Sequence, residues 1–307
     1  MKISVIGAGN VGASAALKLC EKGLAEDVVL VDIMEGIPQG KSLDISQAMP
    51  LNSSNTKIKG TNDYSEIRDS DIVIVTAGVP RKPGMTRDDL FNVNATITKS
   101  IAKEIKLHAP DSIIIVVTNP LDVMAYLMMK ETGSDKSKII GMAGVLDSAR
   151  FRAFLAMETG AKVEDIEAMV LGGHGDSMVP LAEHIMISGK QVSGIISKKK
   201  LQQIIQRTKD GGAEIVKYLK TGSAYYAPAA AIVEMVESIL KEDGKILPCS
   251  VYLEGEYGYS DIFIGVPVKL CREGIKEIVE LNLTGEEKAL LDRSAGEVKD
   301  TIKNFNI

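Results

Sequence analysis

The chain contains no tryptophan and only five phenylalanines and eight tyrosines in 307 residues, so its core must rest on aliphatic side chains. Its three cysteines, Cys20, Cys249 and Cys271, are too few and too scattered for a disulfide framework or a zinc site, and no bound metal is expected. An odd, sparse count fits a reducing compartment. Cys20 sits in an apolar helical pattern and reads as a core filler. No apolar run approaches the ~18–20 residues of a membrane span. Met1-Lys2 leads straight into a strand and a glycine turn, not a signal peptide, so a cytoplasmic location is expected. Basic blocks are also missing. With 36 basic against 41 acidic side chains and a net charge of -5, neither nucleic acid nor a membrane surface is an expected partner. The Lys198-Lys199-Lys200 run reads as a solvated helix start.

What is present is 45% hydrophobic and 25% charged, the profile of a soluble globular protein long enough for one large or two medium domains. Ile3 to Ile6 is a short, largely β-branched run, followed by Gly7-Ala8-Gly9-Asn10-Val11-Gly12. A helical pattern with Val11, Ala15 and Leu19 at four-residue spacing stops near Gly23, and a second apolar run, Val28 to Val31, ends at Asp32. This is a strand–turn–helix–strand unit of about thirty residues, the size of a βαβ crossover. A lone glycine-rich turn is weak evidence. Here the turn follows a strand, opens a helix and precedes an acid by about twenty positions, which is the dinucleotide-binding pattern. In it Gly7 permits the tight turn, Gly9 lets the backbone approach a pyrophosphate, and Gly12 lets the helix pack on the sheet. The pyrophosphate would rest on free N–H groups at the helix start. Asp32 would accept hydrogen bonds from the adenosine ribose and repel a 2′-phosphate, which favours NAD over NADP. The plainer alternative is a structural turn with an incidental acid.

The alternation continues: a helix over 36–49, a short strand over 56–58, a buried strand over 72–75, a long helix over 88–108 with Val93, Ile97, Ile101 and Ile105 on one face, a strand over 113–117 and a helix over 121–131. Uninterrupted β-branched strands between helices indicate a doubly wound parallel sheet of Rossmann type. Ligands bind such sheets beyond the strands' carboxyl ends, so Gly7, Asp32, Gly78 and Asn119 should meet in one crevice. Past Ile140 the texture changes to a mixed α+β half: a helix over 147–158, a strand over 166–171, a hairpin about Ser188-Gly189-Lys190, helices over 198–219 (with a possible break at Gly211-Gly212) and 224–241, antiparallel strands over 246–254 and 262–270, and a last helix from Thr284 to about Asn304. The expected division is 1–141, dinucleotide-binding, and 142–307, catalytic.

The chemistry centres on Leu171-Gly172-Gly173-His174-Gly175-Asp176-Ser177. His174 stands among small residues, where its ring can meet a substrate and exchange a proton; a satisfied structural histidine is the alternative. Asp147 reads equally as a helix N-cap or as a buried carboxylate that orients the imidazole. Arg150, three positions on, either pairs with Asp147 or grips a substrate carboxylate. The loop from Gly78 to Arg87 carries Arg81, Lys82 and Arg87 with two prolines and two glycines, a composition that suits a lid as well as a solvated loop. Three arginines around one site would suit a dianion. Asn119-Pro120 is either a simple turn or aims an amide into the crevice.

Together GAGNVG, TAGVPRKPGMTR, VTNPLD, GVLDSARFR and GGHGDSMVP resemble the lactate/malate dehydrogenase superfamily over nearly the whole chain, and most closely its NAD-dependent malate dehydrogenases of the lactate-dehydrogenase-like group. The resemblance implies that His174 is the acid/base and Asp147 its orienting partner. It implies that Arg150 binds the C1 carboxylate, that Arg87 polarises the reacting carbonyl, and that Asn119, expected in a cis bond to Pro120, contacts substrate and nicotinamide. NAD contacts are implied for Gly7, Gly9, Asn10, Val11, Gly12, Asp32, Thr76, Ala77, Gly78, Asn94, Val117 and Asn119. Lactate enzymes of the superfamily typically carry Gln where this chain has Arg81, and tend to carry Thr where it has Ala224. A cation and extra room favour a dicarboxylate, malate or oxaloacetate, over lactate. Lactate or broad 2-hydroxy-acid oxidation is the alternative activity. A homodimer or homotetramer and a place in the tricarboxylic acid cycle are also implied.

Overall fold

The computed structural model describes residues 1–80 and 85–305, with Arg87 described for its backbone alone. The first half runs β1 (Lys2–Ile6), α1 (Asn10–Glu21), β2 (Asp27–Val31), α2 (Ile37–Ala48), β3 (Lys57–Thr61), β4 (Ile72–Val75), α3 (Arg87–His108), β5 (Ile113–Val116), α4 (Leu121–Thr132) and β6 (Ile139–Gly141). The second half runs α5 (Gly144–Thr159), β7 (Ile166–Glu167), β8 (Val170–Leu171), β9 (Val179–Pro180), β10 (Met186–Ile187), β11 (Lys190–Gln191), α6 (Lys198–Leu219), α7 (Tyr226–Lys241), β12 (Ile246–Glu254), β13 (Ser260–Cys271), β14 (Gly274–Ile278) and α8 (Gly285–Asn304).

Ile72-Val73-Ile74-Val75 and Ile113-Ile114-Ile115-Val116 are buried along their whole length because helices cover both faces of the sheet. Each such side chain contributes about 1.5–3 kcal/mol on burial. The parallel strands lie in the order β3-β2-β1-β4-β5-β6, so the chain reverses its winding between β1 and β4. That reversal opens a crevice at the strands' carboxyl ends. The sheet does not stop at residue 141. β12 pairs antiparallel with β6 through Ser250 and Gly141, and β13 and β14 extend it to nine strands among the described residues. A second apolar cluster lies behind α5, where Phe151 and Leu155 meet Ile166, Val170, Met178 and Ile204 of α6. α5 is thus packed on two clusters, with Val145 and Leu146 in the main core and Phe151 and Leu155 in the second.

The sequence expectations hold for most elements, and the differences have physical causes. The buried face of α3 is Phe91, Asn94, Ala95, Thr98, Ile101 and Ile105, whereas Val93 is 39% exposed. Polar Asn94 and Thr98 turn inward because they hold neighbouring backbone and a methionine sulfur. The strand expected over 166–171 is two, β7 on β10 and β8 on β9. α6 runs unbroken through Gly211-Gly212; a Cβ on Gly211 would stand 3.3 Å from the Arg150 side chain, so the glycine makes room rather than a kink. β6, β9 and β14 have no counterpart in the sequence reading.

At the glycine turn, Gly7 has φ +105°, a backbone conformation that side chains resist. A Cβ on Gly12 would fall 1.9 Å from the Gly7 carbonyl oxygen, so α1 touches the turn backbone to backbone. A Cβ on Gly9 meets nothing within 4 Å. Gly12→Ala is therefore expected to cost about 1–3 kcal/mol in urea unfolding, and Gly9→Ala under about 1 kcal/mol. Equal costs would contradict this packing.

Candidate active site

The crevice is built from strand ends. Thr76, directly after β4, donates from its hydroxyl to the carbonyls of Ile6 and Gly7 at 3.2 and 3.0 Å, and the Ala77 N–H donates to Ile6 at 3.0 Å. These bonds tie the two central strands where the winding reverses. Gly9 precedes α1 without a side-chain cap, and no acid stands in the helix's first turn. The N–H groups of Asn10, Val11 and Gly12 are thus free of side-chain competitors, an arrangement that fits a pyrophosphate. Asp32, directly after β2, accepts the Ala8 N–H at 2.7 Å and the Met34 N–H at 3.0 Å, one on each oxygen. Each oxygen keeps a lone pair for a ribose hydroxyl. Lys41 of α2 donates to the Ala8 carbonyl at 2.7 Å and braces the same turn, a contact nothing in the sequence pattern signals.

Gly78 lies against Thr118 and Asn94, where a Cβ would come within 2.7 and 3.2 Å. The Asn94 side chain accepts from the Val79 N–H at 2.8 Å and donates to the carbonyls of Val79 and Asn119, at 3.2 and 2.7 Å. It holds the post-β4 and post-β5 loops together, so these contacts place it behind the crevice wall. Val117 continues the β5 pairing through its N–H to Val75 at 2.9 Å. Asn119 is exposed, and its bond to Pro120 is cis.

His174 lies three residues past β8, and Gly172, directly after that strand, is bridged to Gly265 of β13. Its Nδ1 lies 2.8 Å from Asp147 Oδ2, and Arg150 Nη1 donates to Asp147 Oδ1 at 3.1 Å. Asp147 is 1% exposed. It lies within the first turn of α5, where Ala143 is the capping residue, so the N-cap alternative is excluded. Both readings of Arg150 are compatible with this geometry, because a guanidinium paired to one carboxylate keeps further donors. Burial disfavours the charged ring, but the Asp147 carboxylate and its hydrogen bond outweigh burial and raise His174 above its ordinary 6.5. The ring can therefore hold a proton against Asp147 on Nδ1 and exchange one at Nε2.

Arg81 lies outside the described residues. Arg87 opens α3 directly after Thr86, which caps the helix through a capping box with Asp89. Ala224 is half-buried between α6 and α7. Sequence reasoning missed Asp122 and Ser250, which stand behind His174. The available signal was a lone acid in the apolar run Leu121-Asp122-Val123-Met124-Ala125 and a lone serine inside β12. Among the described residues no group of three or more His, Cys, Asp or Glu could hold a metal ion.

Residues 1–141 match the family model described as lactate/malate dehydrogenase, NAD binding domain, and residues 144–306 that described as lactate/malate dehydrogenase, alpha/beta C-terminal domain. A malate dehydrogenase of Roseiflexus sp. is 55% identical over 301 residues, 98% of this chain and 97% of that one. The solved malate dehydrogenase of Salinibacter ruber superposes with a TM-score of 0.95 at 46% identity, covering 100% of this chain and 98% of that one. A Cryptosporidium parvum lactate dehydrogenase, solved with lactic acid and nicotinamide adenine dinucleotide, gives a TM-score of 0.96 at 43% identity, covering 99% and 98%.

The raised His174 value fixes the sign of a pH effect. The ring's contribution to stability is complete below its unfolded value and is lost as pH rises through its folded value. In Asp147→Asn only the weaker pull of the Asp122 charge still opposes burial and Arg150, so His174 should titrate below 6.5 and the sign reverses. Histidine NMR, with urea unfolding between about pH 6 and pH 9, reads both effects. An unmoved ring in the variant would contradict the assignment.

Proposed function

The chain belongs to the lactate/malate dehydrogenase family, and on that premise we propose that it catalyses reversible hydride transfer between (S)-malate and NAD, giving oxaloacetate and NADH. The observation that carries the residue roles is the contact of His174 with Asp147 at 2.8 Å, beside Arg150 on the same helix. When bound, NAD supplies the acceptor for the C2 hydrogen of malate. Neutral His174 keeps its Nδ1 proton on Asp147 and takes the substrate hydroxyl proton at Nε2. The imidazolium then faces the Asp147 carboxylate, and in oxaloacetate reduction it returns the proton to the new alkoxide. Arg150 binds the C1 carboxylate, and Arg87 polarises the C2 carbonyl. Arg81 pairs with the second carboxylate, leaving an uncompensated cation when the substrate is a monoanion. Asn119 orients substrate and nicotinamide, and the segment from Gly78 to Arg87 closes as a lid after NAD binds.

NAD would be held by the first-turn N–H groups of α1 and by Asp32, whose charge rejects a 2′-phosphate; Gly7, Thr76, Ala77, Gly78, Val117 and Asn119 form the floor, with Asn94 bracing it. We take residues 1–141 as the dinucleotide-binding domain and 142–307 as the catalytic one. No helix among the described residues is long and apolar enough to cross a membrane. We take malate and oxaloacetate as substrates of a cytoplasmic enzyme of the tricarboxylic acid cycle. We take a homodimer or homotetramer, as the family implies, for its assembly.

In NADH oxidation, oxaloacetate is expected to exceed pyruvate by at least about a hundredfold in kcat/KM, and Arg81→Gln should erase most of that ratio. Pyruvate turnover equal to oxaloacetate turnover would point to a 2-hydroxy-acid dehydrogenase instead. His174→Asn should lower kcat by about 10²–10⁴ while NADH still binds, read by nicotinamide fluorescence. Undiminished turnover in that variant would remove His174 from its role.

A further inference from the structure

Two carboxylates stand near His174, and the mechanism above uses one. Asp122 lies in the first turn of α4, directly after the cis bond, and is 5% exposed. Both its oxygens accept hydrogen bonds from distant parts of the chain: Oδ2 from the His174 backbone N–H at 2.8 Å, and Oδ1 from the Ser250 hydroxyl of β12 at 2.7 Å. The preceding Gly173 N–H donates to Ser294 of α8 at 2.8 Å. A Cβ on Gly173 would stand 3.4 Å from Asp122 Oδ2, so the loop backbone lies directly on the carboxylate.

The neighbours of Asp122 make its charge expensive. Leu121, Val123, Met124 and Ala125 are buried around it, and burial pushes its own carboxyl above the usual range, with the bonds from Ser250 and His174 opposing. An asparagine could make the same two contacts without charge, accepting from the N–H and donating to the serine oxygen. What distinguishes the acid from that isostere is its negative charge when ionised, which favours the charged form of the His174 ring.

We propose that Asp122 is a positioning residue for the acid/base group: it fixes the His174 backbone against α4 and sets a second negative charge beside the ring, favouring the imidazolium from two sides. The inference rests on His174 exchanging protons with substrate. The other groups acting on the ring are Asp147 and Arg150 of α5, the first raising its proton affinity and the second lowering it. α8 places uncharged Ser294 and Val298 against the loop, and Asp176 lies on the loop itself.

The test is Asp122→Asn, read by NMR titration of the labelled histidine rings, with His108 and His184 as internal references. His174 is expected to fall by about half a unit or more while the other two stay. The pH profile of oxaloacetate reduction should move the same way. An unmoved His174 overturns the proposal. This readout needs no turnover, so it fails separately from the dehydrogenase reading, which the assay of the unmodified enzyme tests. Should Asp122→Asn not fold, amide exchange in the unmodified protein decides: the His174 N–H is expected to exchange at least about tenfold slower than an unstructured amide, and unprotected exchange overturns the anchor.

Discussion

A carboxylate at 1% exposure needs partners for both oxygens, and Asp147 has two of opposite kinds: an imidazole on one oxygen and a guanidinium on the other. Much of the second half of the chain is arranged to make that triangle possible. α5 is held by the main core at Val145 and Leu146 and by a satellite cluster at Phe151 and Leu155, and carries Asp147 and Arg150 between them. α6 presents Gly211 where a side chain would crowd Arg150. β8 is clamped to β13 through Gly172 and Gly265, so the loop after it emerges at Asp147. A ring held this way is easier to protonate than a free one, despite its burial. That shift suits a group that must both take and return a proton near neutral pH.

The other half supplies the crevice. Where the winding reverses between β1 and β4, Gly7, Gly12 and Thr76 pack so closely that no larger residue fits at either glycine. The sheet continues into β12 and β13, which carry Ser250 and Gly265 to the back of the histidine loop. One sheet therefore fixes both ligand-binding walls relative to each other.

The strands were legible because a parallel sheet covered on both faces demands runs such as Ile72-Val73-Ile74-Val75, and turns mark their ends. The βαβ glycines were legible because close packing leaves no substitute. Other features were hidden for identifiable reasons. α3 buries Asn94 and Thr98, so counting apolar residues found Ile97, Ile101 and Ile105 but put exposed Val93 in place of the polar pair. α4 is buried nearly all round, and without periodicity nothing marked Asp122 as a residue with a distant partner. β7 and β8 are two residues each, too short for alternation to separate them. At the site, His174, Asp147 and Arg150 were singled out and do meet. Ser250 and Lys41 act through contacts made only by the fold.

The account turns on a proton taken up by His174 when a ketoacid binds. Formation of the ternary complex with NADH and an unreactive dicarboxylate such as hydroxymalonate, followed with an indicator dye in weak buffer one unit above the ring's own midpoint, measures that proton directly. The account predicts uptake approaching one proton per site, abolished by His174→Asn. No uptake in the unmodified protein, or uptake unchanged in the variant, would contradict it.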